Sequence, residues 1–280
     1  MAKILIVGCG KIGTDLGLAL QLQGHHVTGL RRNPPFDDNT LTYVKADITL
    51  AETLADLSTN FDFVVYLLSP GERTETSYRT IYITSLKHLL TRFANTPGLL
   101  VSSTSVYSQS QGEWVDEDSP AEAKLTTSHY IRQAEINFTQ INPKNLVVRF
   151  SGIYGPGRER LIKIAQQEPL IQEQPAYFTN RIHQHDCVAV LLFLINKFFI
   201  GHQLDQYYLA SDDLPVSYWE LVSWLAQRLG YPAPRRKNLS LEFTQNKRCS
   251  NLRLKNLGYQ FIYPDYKIGY SELIKNHNPN

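Results

Sequence analysis

A glycine-rich turn joins an aliphatic run to a helical segment at the start of the chain. Residues 3–7 predict a β-strand, GCGKIG follows at residues 8–13, residues 14–23 predict a helix, and residues 26–30 predict a second strand. This β-turn-α-β arrangement holds a dinucleotide pyrophosphate against a helix N-terminus. Gly8 would permit the tight turn, Gly10 would let the phosphate approach, and Gly13 would let the helix pack on the strand. A glycine turn that serves helix packing alone is the alternative. The cofactor-binding candidates in this turn are Gly8, Gly10, Lys11, Ile12 and Gly13.

The end of the second strand indicates which dinucleotide is preferred. An NAD-binding unit usually carries Asp or Glu there to bind the adenosine ribose, whereas this chain has Arg31 and Arg32 and no carboxylate before Asp37. A carboxylate would repel a 2′-phosphate, and a guanidinium can pair with one through two charge-assisted hydrogen bonds. We therefore predict NADP as the cofactor in preference to NAD. An ordinary solvated loop is the alternative for the two arginines.

Composition and charge restrict the class of protein. A chain of 280 residues is long enough for one large α/β domain or for a nucleotide-binding core with a smaller lobe. A net charge of +2 gives no reason to expect a nucleic-acid or membrane partner, and the longest apolar stretch is too short to span a bilayer. Residues 1–3 lead directly into a predicted strand, which leaves no room for a signal peptide. Three widely spaced cysteines indicate a reducing compartment. We expect a cytoplasmic protein that acts on a small molecule.

Strand-like and helix-like segments alternate along the first half of the chain. Such alternation predicts an α/β fold with a doubly wound parallel sheet, the NAD(P)-binding Rossmann fold. Residues 1–150 would form the dinucleotide-binding domain, and residues 151–280, where the alternation weakens, would form a smaller C-terminal substrate lobe interleaved with the sheet. Leu68 and Ser69, at the end of a predicted buried strand, are further cofactor-binding candidates. Strands are predicted at 41–44, 61–68, 99–101 and 146–150, and helices at 49–57, 75–94 and 126–141.

Six short motifs follow one another from residue 47 to residue 259. They are Asp47-Ile48, the strand and turn LLVSSTSVY at 99–107, the acidic loop DEDSP at 116–120, RFSGIYGPG at 149–157, the His-x-x-Asp segment RIHQHD at 181–186, and Leu257-Gly258-Tyr259. In this order they resemble the NAD(P)-dependent epimerase/dehydratase family, the extended short-chain dehydrogenases, and most closely its atypical YeeZ-type subgroup. Ser108 replaces a glycine of the family pattern. The resemblance implies that Asp47 and Ile48 contact the adenine.

The same resemblance implies a catalytic triad of a Ser or Thr, a Tyr, and a Lys four residues after the Tyr. Counting four residues back from Tyr107 places the hydroxyl residue at Ser103, for which a serine that bonds the backbone at a strand end is the alternative. The tyrosine position is less regular. Tyr130 is the only tyrosine on the predicted helix 126–141, but the family anchors on either side place the tyrosine position at Thr127 and the lysine position at Ile131.

Tyr130 therefore lies one helical turn beyond the expected position, on nearly the same helix face as Thr127. It is a catalytic candidate, with a core aromatic residue as the alternative. A tyrosine with an unshifted pKa near ~10 is ionised in about one molecule in a thousand at neutral pH, so it could donate a proton but would be a poor base. Two functions remain open. One is an NADP-dependent oxidoreductase or epimerase that acts on a carbonyl or hydroxyl of a small polar substrate, for example a nucleotide sugar. The other is a non-catalytic NADP(H) sensor or scaffold that has lost the proton relay.

Polar residues of the second half are candidates for substrate binding. Arg158 and Arg181 could pair with an anionic group of the substrate, although solvated arginines are the alternative. His183 and His185 alternate along a predicted strand end and would face opposite ways, so we predict no metal site. The resemblance also implies a possible homodimer through the helices at 75–94 and 126–141, with residues such as Tyr82 and Phe93 either at a subunit interface or in the core of one chain. The substrate-binding candidates are Arg158, Tyr177, Arg181 and His183.

Overall fold

The computed structural model describes residues 1–35, 41–237 and 245–277, and Asp37 lies outside these ranges. The strands are β1 (Lys3–Val7), β2 (His26–Arg31), β3 (Thr42–Lys45), β4 (Phe63–Tyr66), β5 (Gly98–Ser103), β6 (Glu113–Val115), β7 (Leu146–Phe150), β8 (Gly152–Tyr154), β9 (Leu170–Ile171), β10 (Phe178–Thr179), β11 (Arg181–His183), β12 (Tyr207–Ala210), β13 (Val216–Ser217), β14 (Arg235–Arg236) and β15 (Lys247–Cys249). The helices are α1 (Lys11–Leu22), α2 (Glu75–Arg79), α3 (Leu86–Arg92), α4 (Thr126–Ile141), α5 (Arg160–Ala165), α6 (Gln184–Phe199), α7 (Tyr218–Leu229), α8 (Leu252–Asn256) and α9 (Tyr266–His277).

Seven strands form a central parallel sheet in the order β12-β7-β5-β4-β1-β2-β3. The four residues of β4 and residues 4–7 of β1 are all buried, as expected for strands covered by helices on both faces. From β1 the chain adds β2 and β3 on one side and then β4, β5 and β7 on the other. This change of side is the topology of a doubly wound sheet. The structure confirms the predicted Rossmann-type α/β fold.

The chain folds into two compact units. The first contains Met1–Val106, Glu122–Arg149 and Val188–Tyr208, and the second contains Tyr107–Ala121, Phe150–Cys187 and Leu209–Asn280. Each unit is therefore built from several separate stretches of the chain.

The first unit has a buried ion pair between α4 and the central sheet. Nε and Nη2 of Arg149 donate to the two carboxylate oxygens of Glu135 at 2.9 and 2.8 Å, and the Ser102 hydroxyl donates to Oε1 at 2.5 Å. Arg132 donates to Oε2 of the same carboxylate at 2.9 Å. Glu135 is fully buried, and these donors compensate its charge. This network ties α4 to β5 and β7.

The second unit has an apolar core of its own and a buried carboxylate that organises the C-terminal segment. Asp186 accepts hydrogen bonds from the Tyr259 hydroxyl at 2.7 Å and from the backbone amides of Ile262 and Tyr263 at 2.8 and 2.9 Å. The His-x-x-Asp and Leu-Gly-Tyr motifs thus contact each other. Buried apolar residues of this unit include Leu161, Ile162, Ile171, Val216, Leu221, Val222, Leu225, Tyr266, Tyr270 and Leu273.

Several predicted elements differ from the structure. The helix predicted at 49–57 is reduced to one 3₁₀ turn, Ala51–Leu54, because the Thr53 hydroxyl donates to the backbone oxygens of Asp47 and Leu50 and holds the segment as a compact turn. The helix predicted at 75–94 ends at Arg92, and α2 and α3 are joined by a π-helical segment, Thr80–Ser85. The helix predicted at 126–141 is confirmed.

The structure places Tyr82 and Phe93 in the core of a single chain, with 7% and 2% of their surface exposed. The suggestion that their side chains face a second subunit is therefore wrong, because helix packing within the chain already covers them. A homodimer through other residues of these helices stays a prediction. Among the described residues, no helix combines the length and the apolar character that crossing a membrane requires.

Candidate nucleotide-binding site

The turn between β1 and α1 has the backbone geometry that its glycines suggested. Gly8 adopts a φ of 79°, a conformation that side chains disfavour, and a Cβ atom at this position would lie 2.4 Å from the Leu67 carbonyl oxygen. The amides of Gly8 and Cys9 both donate to the Leu30 carbonyl, at 3.0 and 3.1 Å. The turn is therefore fixed between β2 and the segment after β4, and only glycine fits at residue 8.

The N-terminus of α1 is open toward solvent. Gly10 precedes the helix and provides no side-chain cap. A Cβ atom added at Gly10 would meet no heavy atom closer than the Gly8 oxygen at 4.0 Å, whereas one added at Gly13 would lie 3.0 Å from a Leu67 methyl and 3.2 Å from an Ile6 methyl. The backbone amides at the start of α1 can therefore donate hydrogen bonds to an anion without obstruction by side chains. The close packing at Gly13 fixes the helix on the sheet. This cradle fits a dinucleotide pyrophosphate.

A groove of about 590 Å³ runs along the carboxyl ends of the first strands. Eight of the predicted cofactor-binding residues line it, whereas Lys11, Ile12 and Gly13 do not, and the Lys11 ammonium instead pairs with Asp15 at 2.7 Å. The lining residues are Gly8, Gly10, Leu30, Arg31, Arg32, Asn33, Ala46, Asp47, Ile48, Thr49, Leu67, Leu68, Ser69, Gly71, Glu72, Ser77, Thr80 and Ile81.

Three of the ten lining residues that the sequence interpretation missed form one wall of this groove. Ser77 belongs to α2, and Thr80 and Ile81 belong to the π-helical segment. The Thr74 hydroxyl caps α2 by accepting the Ser77 amide at 3.2 Å, which fixes the start of this wall. Thr74 followed by Glu75 is a recognisable helix start, and it was the one sequence signal for this wall.

Asp47 is held as a carboxylate at the far end of the groove. Its Oδ1 atom accepts hydrogen bonds from the Thr49 amide at 3.0 Å and from the Thr49 hydroxyl at 2.7 Å. Partial desolvation raises the pKa of Asp47, but the Thr49 hydrogen bonds and the charge of Arg32 outweigh it and lower the pKa below its usual range. An ionised carboxylate at this position can accept a hydrogen bond from an amino group such as that of adenine.

The two serines at the end of β5 face different surroundings. Ser102 is buried and bonds Glu135, whereas Ser103 is half-buried and its Oγ atom accepts the Ser105 amide at 3.1 Å. Successive residues of a strand point to opposite faces, which separates their roles. With Oγ already accepting one hydrogen bond, the Ser103 hydroxyl retains its proton for donation to a substrate oxygen.

The predicted tyrosine and lysine positions of α4 hold residues that differ from the family triad. Thr127 is half-buried in the first turn, and Ile131 is 6% exposed within the core. The exposed Tyr130 hydroxyl donates to Oε1 of Glu75 at 3.1 Å. That hydrogen bond, with smaller contributions from desolvation and the Glu75 charge, raises the pKa of Tyr130. Tyr130 is therefore a protonated group at neutral pH.

The substrate-binding candidates all belong to the second unit. Arg158 is exposed in the loop after β8, and the ring of half-buried Tyr177 lies 6.4 Å from that of Tyr218. The Arg181 guanidinium donates to the Thr179 hydroxyl and lies against Gly152, where an added Cβ atom would meet Nη1 at 2.7 Å. The substrate-binding roles of these residues stay predictions.

The argument that His183 and His185 face opposite ways is wrong, because α6 begins at Gln184 and the chain changes from strand to helix between the two histidines. Their ring centroids lie 4.7 Å apart, and the His183 ring also packs on Tyr263 at 3.9 Å and Tyr154 at 5.1 Å. Burial, with the neighbouring His185, lowers the pKa of His183 to about 4, so its ring is neutral at neutral pH. No cluster of three or more candidate metal ligands occurs in the part of the chain that the structure describes.

Comparison with known proteins identifies the family of this chain. The sequence pattern of the NAD(P)H-binding family matches residues 8–155. A structure from Methylobacillus flagellatus, described provisionally as an NAD-dependent epimerase/dehydratase, is 35% identical, aligns over 99% of this chain and 98% of its own, and has a TM-score of 0.83. The chain belongs to the NAD(P)-binding epimerase/dehydratase family. This confirms the resemblance carried by the six motifs.

Two more distant proteins are also similar to the chain. Protein YeeZ of Escherichia coli K12 is 24% identical over 95% of this chain and 97% of its own length. A dTDP-glucose 4,6-dehydratase from Bacillus anthracis, solved with NAD, is 15% identical over 100% of this chain and 97% of its own, with a TM-score of 0.78. At that identity the dehydratase supports the fold alone. NAD(P)H is the cofactor class of the family, and the choice between NAD and NADP is a separate question.

Proposed function

We propose that this protein is an NADP(H)-dependent oxidoreductase or epimerase that acts on a carbonyl or hydroxyl group of a small polar substrate. The observation that carries the proposal is the groove at the carboxyl ends of β1, β2 and β4, where Gly8 and Gly10 leave the N-terminus of α1 open to a pyrophosphate. A groove of about 590 Å³ is large enough to hold an extended dinucleotide in part.

The preference for NADP rests on charge at the adenosine end of the groove. Arg31 ends β2 and Arg32 follows it, and both line the groove. Asp47, one of the carboxylates of the lining, accepts two hydrogen bonds from Thr49. A guanidinium at this position pairs with a 2′-phosphate, whereas NAD offers only a neutral ribose hydroxyl.

NADP(H), when bound, supplies or accepts a hydride at its nicotinamide ring. The chain's own residues would then manage the proton and the substrate oxygen. Ser103 would donate a hydrogen bond to that oxygen, and Tyr130 would supply a proton through its hydroxyl, with Thr127 as the alternative hydroxyl on the same helix. Because the Tyr130 pKa is raised, proton donation during carbonyl reduction is favoured over proton removal during alcohol oxidation.

The substrate class is proposed from charge and from relatives. Arg158 and Arg181 offer cationic groups in the second unit, and Tyr177 offers a hydroxyl, so a substrate with an anionic group would suit them. The Bacillus anthracis relative is named for a nucleotide sugar. Nucleotide sugars are therefore the first substrates to test.

A second candidate function is a non-catalytic NADP(H) sensor or scaffold. The observation that favours it is the α4 helix, where buried Ile131 replaces the lysine of the triad and the Tyr130 hydroxyl is already bonded to Glu75. Such a protein would bind the nucleotide and turn over no substrate.

One experiment separates the two functions. NADPH oxidation at 340 nm reports net reduction, and product chromatography with NADP⁺ present reports epimerisation, which regenerates the cofactor. Both are followed with a panel of nucleotide sugars, keto-sugars and simple polar carbonyl compounds, using the wild type, Ser103→Ala, Tyr130→Phe and the exposed-site control Ser58→Ala. An enzyme is expected to show turnover that falls at least about a hundredfold in Ser103→Ala, while NADPH affinity and the Ser58→Ala rate stay unchanged. Tight NADPH binding with no turnover on any compound would favour the sensor.

A further inference from the structure

A cavity of about 430 Å³ lies in the second unit, at the carboxyl ends of the paired strands β6 and β15. Of the lining residues that the structure describes, all belong to this unit and none lines the nucleotide groove. The volume falls within the range of roughly 300–1,000 Å³ that small-molecule sites occupy. We call this cavity, whose lining includes Trp114, Asp116, Asp212, Asp213, Asn251 and Leu252, the Trp114 cavity.

Asp212 is the buried carboxyl group in the lining of the Trp114 cavity. The residue is 1% exposed, and its Oδ1 atom accepts the Leu214 amide at 3.3 Å. Its Oδ2 atom has no hydrogen-bond partner among the residues that the structure describes. A buried polar oxygen without a partner costs free energy. A ligand that donates a hydrogen bond to this oxygen would therefore bind favourably.

The surroundings of Asp212 control its charge. Burial raises the pKa of Asp212 to about 8 and outweighs the Leu214 hydrogen bond and the Arg181 charge, which lower it. The charges of Asp213 and Asp265 add to the rise. The carboxyl is therefore mostly protonated at neutral pH, and a cation placed beside it would favour the ionised form. The phenols that interact with Asp212 have raised pKa values and stay neutral, and they are Tyr154, Tyr266 and Tyr270.

The other carboxylates of the cavity are ordered by local contacts. Oδ1 of Asp213 accepts the Asn251 amide at 2.7 Å and the Lys255 ammonium at 3.0 Å. Oδ1 of Asp116 accepts the hydroxyl and the amide of Ser119 at 2.8 and 2.9 Å, and these hydrogen bonds hold the pKa of Asp116 below its usual range. In the described part of the lining, three carboxyl groups stand against one ammonium group. The cavity therefore attracts positive charge.

An apolar surface adjoins these carboxyl groups. Trp114 and Leu252 line the cavity and are 55% and 62% exposed, and buried Val115 lines it with them. The Arg248 guanidinium lies 5.2 Å from the centre of the Trp114 ring and donates to the Gly112 carbonyl at 2.7 Å, so the ring has a fixed neighbour. A tryptophan ring offers apolar area and an electron-rich face that attracts cations. Carboxyl groups beside such a surface suit a cation that is carried on an apolar body.

We propose that the Trp114 cavity binds a small organic cation, an ammonium or guanidinium group on an apolar body, and that Asp212 is its charged partner. The cation would donate to Oδ2 of Asp212, and its apolar body would pack on Trp114 and Leu252. Because the cavity and the nucleotide groove share no described lining residue, this binding is expected whether or not the protein takes NADP(H).

Calorimetry with the full-length protein tests the site. The cationic probes are 2-phenylethylamine and agmatine, and 2-phenylethanol is the neutral isostere of the first. The variants are Asp212→Asn, Trp114→Ala and the control Asp56→Asn, which removes an exposed carboxylate that lines neither cavity. At pH 8 the wild type should bind a cationic probe at least about tenfold tighter than the alcohol. Asp212→Asn should weaken that binding about tenfold or more, Trp114→Ala about threefold or more, and Asp56→Asn less than about twofold.

The pH dependence gives a second readout. Both probes stay charged between pH 6.5 and pH 8, because their cationic groups resemble those of Lys and Arg. Since the cation favours ionised Asp212, its binding should release a proton, and the affinity of the wild type should fall several-fold from pH 8 to pH 6.5. The affinity of Asp212→Asn should stay level over this range.

Three results would overturn the site. One is equal affinity of the cationic probes for the wild type and Asp212→Asn, and another is alcohol binding as tight as amine binding. The third is absence of binding of both cations at millimolar concentration. Binding that is lost to the same extent in Asp56→Asn would show general attraction to the surface and would also overturn the site. Urea unfolding midpoints establish that each variant folds, and if Asp212→Asn does not, the wild-type pH dependence and the Trp114→Ala affinity decide.

Discussion

The hydroxyl of Tyr130 donates a hydrogen bond to the carboxylate of Glu75, with the oxygen atoms 3.1 Å apart. The contact joins the second turn of α4 to the first residue of α2 and gives the only tyrosine of α4 a fixed partner. An anionic acceptor stabilises the protonated phenol, so this pair raises the Tyr130 pKa, in the opposite sense to the lysine of the family triad.

Replacing Glu75 by Gln should lower the Tyr130 pKa toward its ordinary value near ~10, because the amide removes the negative charge and keeps an acceptor. The measurement is a pH titration of the ¹³Cζ resonances of labelled tyrosine, with Tyr130→Phe used to identify the signal. An unchanged titration in Glu75→Gln would contradict the role assigned to the carboxylate.

Alanine at Gly8 should affect stability, whereas alanine at Gly10 should affect nucleotide binding. Gly8→Ala places a Cβ atom against the Leu67 oxygen in a left-handed conformation and should destabilise the protein by about 2 kcal/mol or more. Gly10→Ala points into open space and should change stability by less than about 0.5 kcal/mol. Because that space is the one proposed for the pyrophosphate, Gly10→Ala should weaken NADPH about tenfold or more.

Urea unfolding and NADPH titration of the two glycine variants check both halves of this expectation. Serine at Gly10 provides the matched control for size. If Gly10→Ala bound NADPH as the wild type does, the pyrophosphate would not lie at the start of α1.

The ion pair between Arg149 and Glu135 should be costly to break from one side. Arg149 is 2% exposed, Glu135 is fully buried, and Arg149→Met would leave the carboxylate without its two-pronged partner. We expect a loss of about 3–5 kcal/mol in the free energy of unfolding. The double variant Glu135→Leu/Arg149→Met should be more stable than Arg149→Met alone, because it leaves no fully buried charge, and Arg132, which also loses its partner, is partly exposed to solvent. Equal unfolding midpoints for the two variants would contradict this description.

His183 should make stability depend on pH below neutrality. Its pKa is about 4 in the folded protein and near 6.5 when unfolded, so the unfolded chain binds more protons between these values. Stability from this residue is therefore present above pH 6.5 and is lost as the pH falls toward 4. Urea midpoints at pH 4.5 and 7 should differ less in His183→Gln than in the wild type. His202→Gln, at an exposed position, should retain the wild-type difference.

The features that were predicted from the sequence are those that neighbouring residues determine. The Gly8 turn, the α1 helix and helix 126–141 depend on local geometry, and each was recognisable from neighbouring residues. The fold class followed from the alternation of strands and helices, which is also a local pattern.

Thr80 was missed because nothing in its own segment marks it. It lines the groove because the π-helical segment that follows α2 packs there. The two histidines were misplaced because the strand was taken to continue beyond His183, whereas the chain begins α6 at Gln184. These are tertiary relationships that a reading of one sequence does not contain.

The central claim is that the groove binds NADP(H) in preference to NAD(H), and a fluorescence titration of the wild-type protein with NADPH and with NADH tests it most directly. The nicotinamide emission should report NADPH binding at least about tenfold tighter than NADH binding, and Arg32→Ala should remove most of that difference. Equal binding of the two nucleotides, or tighter binding of NADH, would contradict the NADP assignment. Absence of binding for both would contradict the nucleotide groove itself.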